Sequence, residues 1–373
     1  MLRLASPVAR RAGISALPAT VTARAARSSC APLGASRLAS SSSGDSIDFG
    51  FRQVPVQSKQ ALVHDVFARV AHNYDVMNDA MSGGMHRLWK YDLVQQLRPA
   101  PNAKHLDVAG GTGDIAFRVL MAAHAEAPPP AYRTPTIVTP ANADPMTIAA
   151  AERAAYDAAA QVVVCDINDN MLRVGIDRAR TQYGYEPGAL IKPAVAGAAA
   201  EDAATTAAAA SSAAPVSPAL PVEQLSAARI YAQHGKIAFV SGNAECLPFE
   251  SNSFDSYTIV FGLRNVTHRD RALAEALRVL RPGGRFLCME FSAVTVPVLD
   301  RLYQSYSQLV IPALGQLIAS DRDSYQYLVE SIAQMPNQEK LADMVRRAGF
   351  VGVDYRNLTG GIVAIHQGFK PAP

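Results

Sequence analysis

Residues 105–117 read HLDVAGGTGDIAF. A short strand over 104–108 runs into a loop carrying Gly110, Gly111 and Gly113, and Asp114 opens a helix. This strand, glycine loop and helix constrain the fold more than any other stretch. Glycines placed after a strand let a backbone come close to a ligand.

The rest of the sequence extends the same alternation. Residues 64–97 have helical periodicity with a break at Ser82-Gly83-Gly84. Strands are predicted over 161–165, 237–241, 256–261, 285–290, 351–358 and 361–369. Helices are predicted over 114–123, 170–183, 269–280 and 339–348, the third closed by Arg-Pro-Gly-Gly and the last by Gly349. Such alternation predicts an α/β fold with a parallel sheet covered on both faces.

Three tracts stand outside this pattern. Residues 1–44 contain Arg3, Arg10, Arg11, Arg24, Arg27 and Arg37, no Lys, Asp or Glu, and end in a serine run. That is the composition of an organelle transit peptide, mitochondrial or plastid; the plain alternative is a disordered basic arm. Residues 122–160 and 186–228 are rich in Ala, Pro and Ser and lack the large apolar residues that offset ordering entropy. Both read as inserts in surface loops of a single domain spanning 45–373, where added length costs little.

The bulk numbers exclude several classes. A net charge of +3 on 373 residues, with no Lys/Arg run of five, argues against a nucleic-acid partner. Cys30, Cys165, Cys246 and Cys288 are scattered and form no zinc or disulfide pattern, and no metal-ligand cluster is seen. No stretch reaches the roughly 18 apolar residues needed to span a bilayer.

The glycine loop has two candidate ligands. Gly111-Thr112-Gly113-Asp114-Ile115-Ala116 fits the dinucleotide pattern G-x-G-x-x-A, a weak match taken alone. Against a pyrophosphate stand Asp107 before the glycines and Asp114 after them, because negative charge opposes an anion at a helix N-terminus. A further element, GNAECLPF over 242–249, follows the next strand. S-adenosylmethionine fits better: its sulfonium and ammonium are cationic, and it has no phosphate. An acidic loop of Asp107, Gly110, Gly111 and Gly113 suits its methionine end. Asp166, at the end of the second strand, suits the ribose diol, with a helix N-cap as the plain alternative. Asn243 and Ala244 suit the adenine edge, with an ordinary turn as the alternative.

Several stretches carry a more specific resemblance. They are VFARVAHNYDVMNDAMSGGMHRLWK (66–90), LDVAGGTGD (106–114), VVVCDINDNML (163–172), GNAECLPF (242–249), FGLRNVTHRDRAL (261–273), RVLRPGGRFLCMEFS (278–292), DSYQYLVESIAQMPNQ (323–338) and AGFVGVDYRNLTGGIVAIHQG (348–368). On these the protein resembles the ubiquinone/menaquinone biosynthesis C-methyltransferase family, within the class I S-adenosylmethionine-dependent methyltransferases. The second and sixth stretches are only class-specific; the first, fifth, seventh and eighth are specific to the family. The resemblance implies a Rossmann-like, mostly parallel seven-stranded sheet and C-methylation of a polyprenyl benzoquinol. With the leader, it implies a mitochondrial protein on the matrix side of the inner membrane, in peripheral contact with it and with other subunits of a ubiquinone-synthesis complex. Thr112, Asp166, Asn243 and Ala244 carry over as cofactor contacts. One position departs: Val260 stands where the family often has Ser or Thr, leaving only its backbone to contribute.

Methylation of an aromatic carbon needs an electron-rich ring, so the protein's tasks are orientation and charge placement. Arg264 is a candidate to stabilise a phenolate or to assist a water, its own pKa being too high for a base. The alternative for Arg264 is a salt bridge holding the strand–helix corner. Asn265 is a candidate partner for a ring oxygen. Tyr74, with Asp75, is a candidate to close over the ring, against a role as a core aromatic. His268 reads as a surface residue more than as a general base. The Tyr- and Leu-rich segment 294–317 is either a lid over an isoprenoid trough or ordinary helix packing. The alternatives for the whole protein are a plastid or bacterial-type naphthoquinol methylase, a non-catalytic subunit of a quinone-synthesis assembly and, more distantly, a dehydrogenase.

Overall fold

The computed structural model describes residues 46–70, 74–126, 161–193 and 236–372, with the side chains of 68, 70, 74, 75 and 124–126 outside that description. The leader 1–44 and most of both Ala/Pro-rich tracts lie outside the described residues.

The described fold opens with an antiparallel hairpin that the sequence pattern does not predict, β1 (Ser46–Phe49) and β2 (Arg52–Pro55). Helices α1 (Val56–Val70), α2 (Tyr74–Ser82) and α3 (Met85–Leu97) follow, with the break at Gly83-Gly84 where it was expected. Then come β3 (Lys104–Val108), α4 (Asp114–Glu126), β4 (Gln161–Asp166), α5 (Asp169–Tyr183), β5 (Ile237–Ser241), β6 (Phe254–Val260) and α6 (Arg269–Val279). The rest is β7 (Leu280–Phe291), α7 (Pro297–Leu314), α8 (Arg322–Ala333), α9 (Gln338–Arg347), β8 (Val351–Leu358) and β9 (Val363–Phe369).

The main sheet has seven strands in the order β5-β4-β3-β6-β7-β9-β8. Strands β5 to β7 pair in parallel, and β9 pairs antiparallel with both neighbours. Because side chains alternate across a strand, each face collects its own core. Leu106, Val163, Tyr257 and Phe286 pack under α6 and α9 on one side. Val162, Phe239, Leu287 and Ile365 pack under α3, α4 and α5 on the other. The strand order reverses between β3 and β6, and a crevice at such a switch is where ligands of open α/β sheets bind.

Two expectations need correction. The Arg-Pro-Gly-Gly segment is not a free turn: β7 already begins at Leu280, which pairs with Phe254 before the register shifts to Ser256↔Arg285. The Gly283 amide donates to the Lys370 carbonyl at 2.9 Å and the Lys370 amide to that of Gly284 at 2.9 Å, which draws the glycines into the sheet. The second tract also does not leave the fold at 186. Ile191 makes a parallel bridge with Val240, donating to the Phe239 carbonyl at 2.9 Å and accepting from the Ser241 amide at 2.9 Å. Excision must therefore spare Ile191. Deleting 196–220 is expected to shift the melting temperature by less than about 2 °C. Extending the deletion back to 190 should lower it further, because the β5 edge loses its partner. Thermal melts of both deletions check this, and an insoluble shorter deletion would show that the tract packs or docks.

Candidate active site

Two cavities lie at the carboxyl ends of β3, β4 and β6. One, of ≈ 150 Å³, is lined by the post-β3 loop (Asp107, Gly110, Gly111, Thr112), by Asp166, by Asn243 and Ala244, and by Val260. The other, of ≈ 380 Å³, is mostly apolar and lies under α2, α7 and α8. Phe67, Lys90, Phe261 and Asn265 line both, so they form the wall and doorway between the two.

The smaller cavity is acidic. Asp107 is 1% exposed, and its Oδ2 is buried with no hydrogen-bond partner among the described residues. A Cβ at position 110 would sit 2.8 Å from that Oδ2, so only glycine fits against it. Burial pushes the Asp107 carboxyl up to about 7, partly offset by the Thr258 hydroxyl and reinforced by the charges of Asp114 and Asp166. Asp166 accepts from the Gly111 amide at 2.9 Å and the Asn168 amide at 2.8 Å. Burial raises its carboxyl, and these backbone donors work against the rise. Asp166 is not the helix cap: Asn168 caps α5, its Oδ1 accepting from Asn170 and Met171. Asn243 accepts from the Glu245 amide at 2.9 Å, which shapes the turn it occupies. Thr112 accepts from Arg178 Nη1 at 3.0 Å.

Gly113 is the cofactor-loop residue that does not line the cavity. It has a φ of +80°, and a Cβ there would lie 3.2 Å from Phe117, so it turns the backbone into α4 behind the site. The charge of Asp114, counted above against a pyrophosphate, is compensated by two cations. Lys90 Nζ is 2.7 Å from Asp114 and Arg118 Nε 3.1 Å. Burial disfavours the Asp114 carboxylate, but Lys90 and Arg118 outweigh it and keep the group ionised. The post-β3 and post-β6 loops touch where a Cβ on Gly262 would meet the Ala109 Cβ at 2.4 Å.

Arg264 sits in a short 3₁₀ turn, Leu263–Asn265, and lines the larger cavity. It is 5% exposed, and its Nη1 pairs with Glu290 Oε1 at 3.2 Å and Oε2 at 3.1 Å and donates to the Phe261 carbonyl at 2.5 Å. Glu290, itself 1% exposed, also accepts from the Arg264 amide at 3.1 Å. The corner salt bridge weighed as an alternative is therefore present, and it aims the guanidinium along the cavity wall, 5.5 Å from the Phe291 ring. Asn265 accepts from the Tyr327 hydroxyl at 3.1 Å. His268 is half-exposed and held by Glu245 at 2.7 Å, away from the lining of either cavity. Tyr74 starts α2, and its side chain, like that of Asp75, lies outside the described residues. Tyr303, Tyr306 and Ile311 of α7 line the larger cavity, while Val298, Leu302 and Leu309 of the same helix are exposed.

Sequence reasoning missed Lys90, Glu290 and Tyr327. Glu290 ends a strand beside the Arg264 turn and was visible as the acid in CMEFS. Lys90 and Tyr327 have no local signal, because their partners are distant in sequence.

A crevice at the carboxyl ends of this sheet, acidic on the loop side and opening onto a second cavity, defines a class I methyltransferase. A model of the ubiE/COQ5 methyltransferase family matches residues 55–203 and 222–370, and the chain belongs to that family. It is 45% identical over 341 residues to the mitochondrial 2-methoxy-6-polyprenyl-1,4-benzoquinol methylase of Bos taurus, covering 91% of this chain and 88% of that protein. The methylase of the same name from Oryza sativa subsp. japonica is 44% identical, over 86% of this chain and 87% of its own. The ubiquinone/menaquinone biosynthesis C-methyltransferase UbiE of Methylobacterium nodulans is 44% identical, over 88% and 98%. Among solved structures, a methyltransferase of Thermotoga maritima aligns over 82% of this chain and 98% of its own, at 15% identity and a TM-score of 0.42.

Proposed function

We propose that this protein methylates a ring carbon of 2-methoxy-6-polyprenyl-1,4-benzoquinol in ubiquinone biosynthesis, with S-adenosylmethionine as methyl donor. The observation that carries the reading is the junction of the two cavities: an acidic, glycine-lined one meets an apolar one at Asn265 and Phe261. The buried, unpartnered Asp107 Oδ2 fits a cationic ligand and not a pyrophosphate. When bound, S-adenosylmethionine supplies an electrophilic methyl group. Asp107 and the loop of Gly110, Gly111 and Thr112 would face its methionine end, Asp166 its ribose, Asn243 and Ala244 its adenine, and the Val260 backbone the remaining edge.

The apolar cavity takes the ring and the start of the prenyl tail. Arg264 stabilises negative charge on a ring oxygen, and Asn265, fixed by Tyr327, orients the ring. The ring carbon takes the methyl, and the proton it carried leaves to water, restoring aromaticity. Among the described residues no helix is long and apolar enough to cross a membrane. The exposed Val298, Leu302 and Leu309 on the helix that covers the tail cavity support peripheral contact with a bilayer. Together with the 1–44 leader, they support a location at the matrix face of the mitochondrial inner membrane, beside other subunits of a ubiquinone-synthesis complex.

A methyl-transfer assay with short-tail benzoquinol and naphthoquinol acceptors tests the reading. Methylated benzoquinol is expected. Methylation of naphthoquinol alone would replace the substrate, and cofactor binding with turnover of neither would point to a non-catalytic subunit.

A further inference from the structure

Four polar residues interrupt the apolar core on one face of the two central strands. In the β3–β6 register, His105 stands opposite Ser256 and Asp107 opposite Thr258. All four are buried. Their side chains form one line: Ser256 Oγ to His105 Nδ1 at 2.8 Å, His105 Nε2 to Thr258 Oγ1 at 2.9 Å, and Thr258 Oγ1 to Asp107 Oδ1 at 2.8 Å. The line ends at Asp107, which lines the small cavity and whose other oxygen is buried with no hydrogen-bond partner among the described residues.

The inventory of donors sets the direction of this line. Burial pushes His105 down to about 3, so its ring is neutral, with one donor and one acceptor nitrogen. An ionised Asp107 can only accept, so Thr258 spends its single hydroxyl proton on Oδ1. Thr258 must then accept from Nε2–H, and Nδ1 accepts from the Ser256 hydroxyl. Every donor points toward the cofactor pocket, an arrangement in which each bond polarises the next. When Asp107 is protonated, Oδ2 has no acceptor among the described residues, so the proton is held on Oδ1. Thr258 then accepts from it and donates to Nε2, and the imidazole proton moves to Nδ1.

We propose that Thr258 and His105 are positioning residues of the cofactor pocket, forming a hydrogen-bond relay that holds Asp107 ionised toward a bound cation and reverses when the cation leaves and Asp107 takes up a solvent proton. The proposal rests on S-adenosylmethionine being the ligand of that cavity. Other groups bear on Asp107 from each packed element. From β4 comes Asp166. From α4 come Asp114, neutralised by Lys90 of α3, and the Ala116 amide. Neither Asp114 nor Asp166 donates a hydrogen bond to Asp107, so the Thr258 hydroxyl and the Ala116 amide are the donors that favour its charge.

The raised Asp107 carboxyl, about 7, sets the sign of the pH dependence. A cation binds the ionised form, so affinity rises with pH and levels off above that value. Wild-type S-adenosylmethionine affinity should therefore gain about tenfold from pH 6 to pH 8. Thr258→Val removes the donor and keeps the volume. For about one further unit of rise in Asp107, the variant should bind about tenfold more weakly at pH 6 and about fivefold more weakly at pH 7, and the two curves should merge by pH 9. Thr258→Ser should restore the wild-type profile. Isothermal titration at each pH gives these curves. Imidazole ¹⁵N and ¹³C signals of wild-type protein at pH 6 give a second readout that does not depend on the variant folding: His105 should be Nδ1–H without S-adenosylmethionine and Nε2–H with it. A Thr258→Val deficit that is the same at every pH, no deficit, or one His105 tautomer in both states overturns the relay while leaving the cofactor reading intact. Wild-type protein that binds no S-adenosylmethionine at any pH overturns both.

Discussion

Arg264→Ala is expected to lose about 10²–10³-fold in turnover, the effect of removing one preorganised charge-stabilising donor, and also to melt early. The early melt follows from Glu290, which would be left as an unpaired charge in a site where it is 1% exposed. Breaking one side of such a buried pair costs about 3–5 kcal/mol, roughly a 10 °C fall in melting temperature for a domain of this size. A mutant that is both unstable and slow does not separate structure from chemistry. The double replacement Arg264→Met with Glu290→Gln does, because it removes both charges of the buried pair together and keeps a side-chain oxygen to accept from the backbone amides that Glu290 holds. It should recover most of the melting temperature and none of the turnover. Arg264→Lys, which keeps the charge but loses the planar fork, should fall between. If the double mutant turns over at the wild-type rate per folded molecule, Arg264 is a strut and the catalytic assignment fails.

Asp166→Ala is expected to weaken S-adenosylmethionine binding by about 10²-fold, from the loss of charge-assisted bonds worth about 1.5–3 kcal/mol each. The structure adds a second route to the same loss. The Asp166 carboxylate already accepts from the Gly111 and Asn168 amides, so it shapes the glycine loop as well as lining the smaller cavity. Asp166→Asn retains one of the two acceptor oxygens and loses the charge. If the ribose contact dominates, Asn should be nearly as weak as Ala; if loop shape dominates, Asn should bind with an affinity between Ala and wild type. Calorimetry on both, with a thermal melt as the folding control, distinguishes these results. A folded Ala variant with unchanged affinity removes Asp166 from the site.

The class of fold, and which residues line the smaller cavity, were legible in the sequence because their signals are local. Strand and helix periods appear within short windows, and the glycines of 110–113 must follow a strand whatever the remaining residues do. Asp107, Gly110, Gly111, Thr112, Asp166, Asn243 and Ala244 were all named from such windows, and all line one cavity. Gly113 was named with them and stands outside that lining. Its position in the motif is local, but the packing of Phe117 behind it is not.

What only the tertiary structure decided are the pairings between residues far apart in sequence. Lys90 neutralises Asp114 from 24 residues away, Glu290 holds Arg264 across 26, and His105 meets Ser256 across 151. No window contains both members of such a pair, and a lone buried Lys, Glu or His has no signature of its own. Ile191 closes against β5 for the same reason, inside a tract whose composition otherwise reads as a loop. The sequence by itself determined which backbone would turn and where glycine had to stand. Which charges are neutralised, which oxygen is left without a partner, and which two cavities share a wall were decided by strand register and by the packing of helices on the sheet, which bring distant polar groups within hydrogen-bonding distance in a core that excludes water.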